Sequence, residues 1–129
     1  ISGGELQRAA IAKLLLPEPE VIFLDEATKG MDAFFKAEFG ALLRRLAARG
    51  TAIVLVSHDI EFCAEFADRC AMFFNGTVIA EGTPQEVFLG NSFYTTSACR
   101  ISRGIIPDAL TSEQIIDYAN RCERKKNDD

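Results

Sequence analysis

No two cysteines are spaced Cys-x-x-Cys, and the single histidine, His58, has no cysteine cluster beside it. With those gaps, neither a zinc site nor a redox pair is suggested. Cys63, Cys70, Cys99 and Cys122 are widely spaced and follow no secretory leader, so they read as reduced thiols, with Cys63 and Cys70 as small core residues. No apolar run approaches the roughly 20 residues that a membrane-spanning helix needs. Basic residues are in deficit, 14 against 19 acidic, and the net charge of −5 argues against nucleic acid or anionic lipid as a partner. A phosphate-cradling Gly-x-x-x-x-Gly-Lys-Ser/Thr loop is also missing, since no Gly-Lys dipeptide occurs anywhere in the 129 residues. The first residue is Ile1, with neither initiator Met nor signal peptide, so the expectation is a chain that starts in mid-protein.

What remains is ordinary globular composition, 48% hydrophobic and 26% charged, which excludes a disordered chain. A chain of this size can bury about two-thirds of its unfolded surface, so it is one domain or a piece of one. Strand and helix signals alternate. Ser2 to Glu5 form a capping box that predicts a largely buried helix through about Leu16, stopped by Pro17 and Pro19. Val21 to Leu24 is a short apolar run expected to be a strand covered on both faces. Asp32 caps the next helix, whose inward stripe is Phe35, Phe39, Leu42, Leu43 and Leu46, and Gly50 closes it.

A second buried strand, Ala52 to Val56, ends at Ser57-His58-Asp59, and Asp59 can cap a helix through about Phe66. Strand, helix and strand at this spacing imply a right-handed parallel crossover. The pattern then changes to a β-hairpin, Ala71 to Phe74 and Thr77 to Ala80, turning on Asn75-Gly76. Thr83 with Glu86 and Pro84 starts another helix, and Thr111 to Gln114 begin the last one. Strand signals vanish after about Asn91, and the charged stretch from Arg121 to Asp129 is expected to fray. The fold class is α/β.

In a parallel sheet, chemistry gathers at the carboxyl ends of strands. The first strand delivers Asp25 and Glu26 side by side. Carboxylates after a run of apolar residues are costly to desolvate unless they serve a cation or a proton. One can hold Mg²⁺ while the other polarises a water; equally, the pair can simply leave the strand into a solvated loop. The second strand delivers His58, a structural hydrogen-bonding residue or a ligand to phosphate and water. Ser2, Gly3 and Gly4 open a helix, where exposed N–H groups and the helix dipole suit an anion, or where the glycines only turn the chain.

Together these segments resemble the ATP-binding cassette (ABC) ATPases. Ile1 to Arg8 is similar to their signature motif, Val21 to Glu26 to their Walker B strand, Met31-Asp32 to the end of their D-loop, and Val56 to Asp59 to their H-loop. The motifs occur in the family's order and at its usual separations. The resemblance implies the C-terminal portion of a P-loop NTPase cassette over residues 1–90, followed by a helical extension over residues 91–129.

It further implies that Ser2, Gly3 and Gly4 clasp the γ-phosphate of ATP held by an opposing cassette. By the same resemblance Asp25 would support Mg²⁺, Glu26 would be the general base, His58 would contact the γ-phosphate, and Asp32 would sit at the dimer seam. The implied partners are a second nucleotide-binding domain, as homodimer, heterodimer or tandem fusion, and a transmembrane component. The implied location is peripheral, on the cytoplasmic side of the cell membrane.

Departures from the family pattern are Ile1 for Leu, Glu5 for Gln, Ala27 for Pro, and Lys29-Gly30 for a pair of small residues. Lys29-Gly30, with Phe93 to Thr96 and the arginines Arg100 and Arg103, is similar to ATPases of energy-coupling factor importers for vitamins and metals. Because the phosphate loop is missing, this segment alone is expected neither to bind nor to hydrolyse ATP. Two other readings remain: a non-transport cassette ATPase, and a non-catalytic interaction module.

Overall fold

A computed structural model describes residues 9–13, 18–89, 94–106 and 108–127. The chain divides into two compact units, Ile1–Asp59 and Ile60–Asp129.

The first unit is a parallel strand pair and its crossover helix. Residues 9–13 are helical (α1). Strand β1 (Val21–Asp25) pairs with β2 (Ala52–Val56) in the register Val21 to Ala52 through Asp25 to Val56. The ladder is extended at both ends, by Ala52 N donating to Glu20 O at 2.8 Å and Glu26 N to Val56 O at 2.8 Å. Between the strands runs α2 (Ala33–Ala48). It starts where expected: the Asp32 carboxylate accepts from Phe35 N at 2.7 Å, satisfying an N–H that has no partner inside the helix. Phe39 and Leu43 are buried along the expected stripe, and Gly50 leaves the helix at φ +99°, a conformation that suits glycine.

One expectation fails here. The strands are not covered on both faces. Ile22 is 2% exposed and Leu24 is buried, but Phe23 between them is 76% exposed and Val21 is open too. Ala52 and Val54, opposite Val21 and Phe23 in the register, and Val56, opposite Asp25, are likewise exposed. Side chains alternate across a strand, so α2 covers one face and the other meets water.

The second unit comprises α3 (Ile60–Phe66), the antiparallel strands β3 (Cys70–Phe74) and β4 (Thr77–Gly82), α4 (Pro84–Leu89), α5 (Ser97–Ser102) and α6 (Ser112–Asn127). The hairpin turns on Asn75 and Gly76, at φ +48° and +77°, as the Asn-Gly signal requires. A bulge interrupts it: Met72 faces Ala80 but Phe73 faces Val78, which leaves Ile79 as the extra residue. The core gathers Ala64, Val87, Phe88 and Leu110, with Cys63, Cys70 and Met72 packed against it. Burial pushes the Cys70 thiol up from its ordinary value, in keeping with a core role.

Helix α6 remains helical through Asn127, so the stretch expected to fray from Arg121 holds its backbone for nearly two more turns. Arg121 contributes by donating from Nε to the Asp117 carbonyl at 3.3 Å.

Candidate functional site

The candidate chemistry lies where β1 and β2 end, both at the carboxyl side of the parallel pair. Asp25 is the last residue of β1 and is exposed, on the same face as Phe23 and Val56. Glu26 turns away from the strand line, because its backbone adopts φ +48°. That left-handed conformation is uncommon for a residue with a Cβ and costs of order 1–3 kcal/mol, so its neighbours must hold it. They do so by backbone bonds: Glu26 N donates to Val56 O, and Lys29 N donates to Glu26 O at 3.0 Å.

The turn brings the Glu26 carboxylate to the second loop. Its Oε1 accepts from the His58 backbone N–H at 3.0 Å, and the His58 imidazole Nε2 lies 3.7 Å from the same oxygen. The imidazole is 97% exposed, while the Glu26 side chain is one-third exposed. The structure therefore unites Asp25, Glu26 and His58 at one end of the sheet. Asp32 sits nearby in the chain but uses a carboxylate oxygen to cap α2. Ser2, Gly3 and Gly4 lie outside the described residues.

Sequence reasoning missed a set of residues behind the site. Thr28, 3% exposed, places its hydroxyl 3.3 Å from that of Ser57. Ser57 Oγ also accepts from Asp59 N at 3.0 Å, and the Asp59 carboxylate pairs with Lys36 Nζ on α2. Thr28 and Ser57 are short hydroxyl residues in loops, and only their apposition distinguishes them from ordinary turn residues.

Among the described residues no group of three or more His, Cys, Asp or Glu side chains could hold a metal ion. One or two carboxylates are nevertheless the usual protein share of a Mg²⁺ that arrives with substrate phosphates, because Mg²⁺ keeps several waters. Asp25, exposed at a strand end, fits that role.

No protein-family model matches the chain. A putative ABC transporter ATP-binding protein of Bacillus thuringiensis subsp. konkukian is 48% identical over 114 residues, 88% of this chain. An energy-coupling factor transporter ATP-binding protein, EcfA, of Methanothermobacter thermautotrophicus is 37% identical over 103 residues, 80% of this chain and 33% of that protein. Among solved structures, CbiO1 of Clostridium perfringens, part of an ABC transporter complex, superposes with a TM-score of 0.60 at 36% identity, over 67% of this chain and 35% of its own. The chain spans 21% of the length of its Bacillus relative. With the parallel pair, hairpin and helices in the order of a cassette, this sequence belongs to the family of ABC transporter ATP-binding proteins.

Proposed function

We propose that this chain supplies the catalytic carboxylate and the trans-acting half of an ATP site in an ABC transporter. The observation that carries the reading is the Glu26 carboxylate, turned out of β1 by a left-handed backbone and held on the His58 N–H beside Asp25. Hydrolysis of a phosphoanhydride needs charge neutralisation and a positioned water rather than covalent catalysis.

In this reading Glu26 Oε1 is fixed by the His58 amide, leaving the carboxylate able to accept the proton of an attacking water at its other oxygen. The exposed His58 imidazole extends toward solvent from the same point, placed to donate to the γ-phosphate. Asp25 would hold Mg²⁺, which, when bound with ATP, neutralises the triphosphate charge. Ser2, Gly3 and Gly4 would clasp a γ-phosphate on an opposing cassette, with Asp32 at the seam. Residues 1–90 would form the C-terminal part of a cassette and residues 91–129 a helical extension.

The likeness to EcfA and CbiO1 supports the narrower reading, an importer of the energy-coupling factor type for a vitamin or metal. Its partners would be a second nucleotide-binding domain and a transmembrane component, with the ATPase peripheral on the cytoplasmic face. The missing Gly-x-x-x-x-Gly-Lys-Ser/Thr loop makes this segment inactive on its own.

The test is Glu26→Gln in a cassette protein that carries this segment. Turnover should fall by roughly 10²- to 10⁴-fold while ATP binding persists, as expected for loss of a general base. Unchanged turnover would leave the motifs without catalytic meaning and favour an interaction module.

A further inference from the structure

Two loops meet at the candidate site, and only one of the contacts between them involves residues already assigned a chemical role. The first loop, leaving β1, carries Glu26 and Thr28; the second, leaving β2, carries Ser57, His58 and Asp59. Glu26 bonds the His58 N–H at 3.0 Å, and Thr28 Oγ1, two residues after Glu26, stands 3.3 Å from Oγ of Ser57, the residue before His58.

Thr28 is 3% exposed, so its hydroxyl has no recourse to bulk water and depends on a protein partner. Ser57 Oγ is simultaneously an acceptor for Asp59 N at 3.0 Å, which fixes the backbone immediately after His58. Met31 N donates to Thr28 O at 3.2 Å, so Thr28 also anchors the stretch that leads into Asp32 and α2. On the far side of the second loop the Asp59 carboxylate pairs with Lys36 of α2, which makes the loop a bridge held at both ends.

We infer that Thr28 and Ser57 are positioning residues, a hydroxyl clasp that holds the two loops in the register at which the Glu26 carboxylate meets the His58 amide. The reason is geometric. Glu26 sits in a conformation that its own backbone disfavours, and a carboxylate on a turn has rotamers that point elsewhere. Its bond to His58 survives only if the second loop stays within hydrogen-bond reach. The clasp is the more sheltered tie, with Thr28 buried and Ser57 partly so, whereas the Glu26–His58 contact is at the surface and open to competition from water. A single misplacement of about 1 Å at a general base costs up to roughly a hundredfold in rate, so a tie of modest strength has a large effect on chemistry.

The inference rests on the proposed hydrolytic role of Glu26, and its test separates the two. In a cassette protein carrying this segment, Thr28→Val keeps the shape and removes the hydroxyl, and Thr28→Ser restores it. Thr28→Val should lower kcat about tenfold with KM for ATP within about twofold, and Thr28→Ser should recover most of the loss. In the same variants, hydrogen–deuterium exchange of the peptide spanning Ser57–Asp59 should quicken in Thr28→Val and return to wild-type rates in Thr28→Ser.

A purely structural role would instead lower the unfolding midpoint and leave kcat per folded molecule and local exchange unchanged. Wild-type kcat in Thr28→Val, or unchanged exchange at His58, overturns the clasp. A wild-type protein that hydrolyses no ATP overturns the hydrolytic reading, and the exchange comparison still decides whether Thr28 holds the second loop.

Discussion

Thr95 and Thr96 are adjacent, both buried, and opposite in their energetics. The Thr96 hydroxyl accepts from Cys99 N at 3.1 Å, capping α5, and donates to the Leu110 carbonyl at 2.6 Å. The Thr95 hydroxyl is buried and has no hydrogen-bond partner among the described residues. A buried hydroxyl without a partner bears its whole desolvation penalty, roughly 1–3 kcal/mol. Thr95→Val keeps the branched shape and deletes that penalty, so it should stabilise the chain by about 1 kcal/mol in urea denaturation. Thr96→Val should cost about 2–3 kcal/mol in the same assay, because it strips a helix cap and orphans a buried carbonyl. Equal effects from the two valines would show that Thr95 has a partner after all. Neither role is legible in the sequence, where the two threonines are an undifferentiated pair before a helix too short to display a period.

The helix starts are the most legible elements, because a cap is a local device read from four consecutive residues. Thr83 and Glu86 close the capping box that their spacing implies. Glu86 Oε2 accepts from Thr83 N at 2.7 Å and from its hydroxyl at 3.0 Å, and Glu86 N donates back to Thr83 Oγ1 at 3.3 Å. Gly82, at φ +155°, makes room for it: a Cβ there would stand 2.5 Å from Glu86 Oε2. Thr111 and Gln114 repeat the device at α6, where Gln114 Oε1 accepts from both Leu110 N and Thr111 N.

The Thr83 N–H, then its hydroxyl, holds the Glu86 carboxyl below its ordinary value of about 4.5. A lowered folded value means that the ionised box stabilises the chain above the unfolded value, and that this contribution fades as pH falls through the folded one. The stability difference between wild type and Glu86→Ala should therefore be widest near neutrality and shrink below about pH 4.5, measured by denaturation at matched pH values. A constant difference would mean that the box works without its charge. The strands were legible as strands for a similar local reason, a run of apolar residues bounded by turn residues. Their burial was not, since Phe23 and Ile22 differ only in which side of the ladder they occupy, and an apolar run does not tell what covers each side. The bulge at Ile79 left no trace either, because Thr77 to Ala80 alternates no more clearly with it than without it. At the site the same division holds: Asp25, Glu26 and His58 stood out as polar residues ending apolar strands, while the Thr28–Ser57 contact joins residues 29 apart and exists only in the folded chain.

Each unit carries an apolar surface that its own residues leave open. In the first it is the sheet face of Val21, Phe23, Val54 and Val56; in the second it is the hairpin, where Phe73 is 71% exposed and Phe74, Val78 and Ile79 are open as well. Open apolar side chains gathered on one element mark a place where something packs. Whatever covers the sheet face must also satisfy Asp25, whose carboxylate shares it and cannot be taken out of water without a cation, a proton or hydrogen-bond donors. That requirement couples packing to the proposed chemistry, because a purely apolar cover would strand the charge. On its own the chain should self-associate through these faces. Replacing Phe23 and Phe73 by Lys should shift sedimentation toward the monomer while leaving the denaturation midpoint nearly unchanged, since both rings already stand largely in water. If instead the double variant unfolds, the two rings are packed within the chain and the faces are not open. If it folds but associates as before, association runs through other surface, and neither the sheet face nor the hairpin is the place where a partner binds.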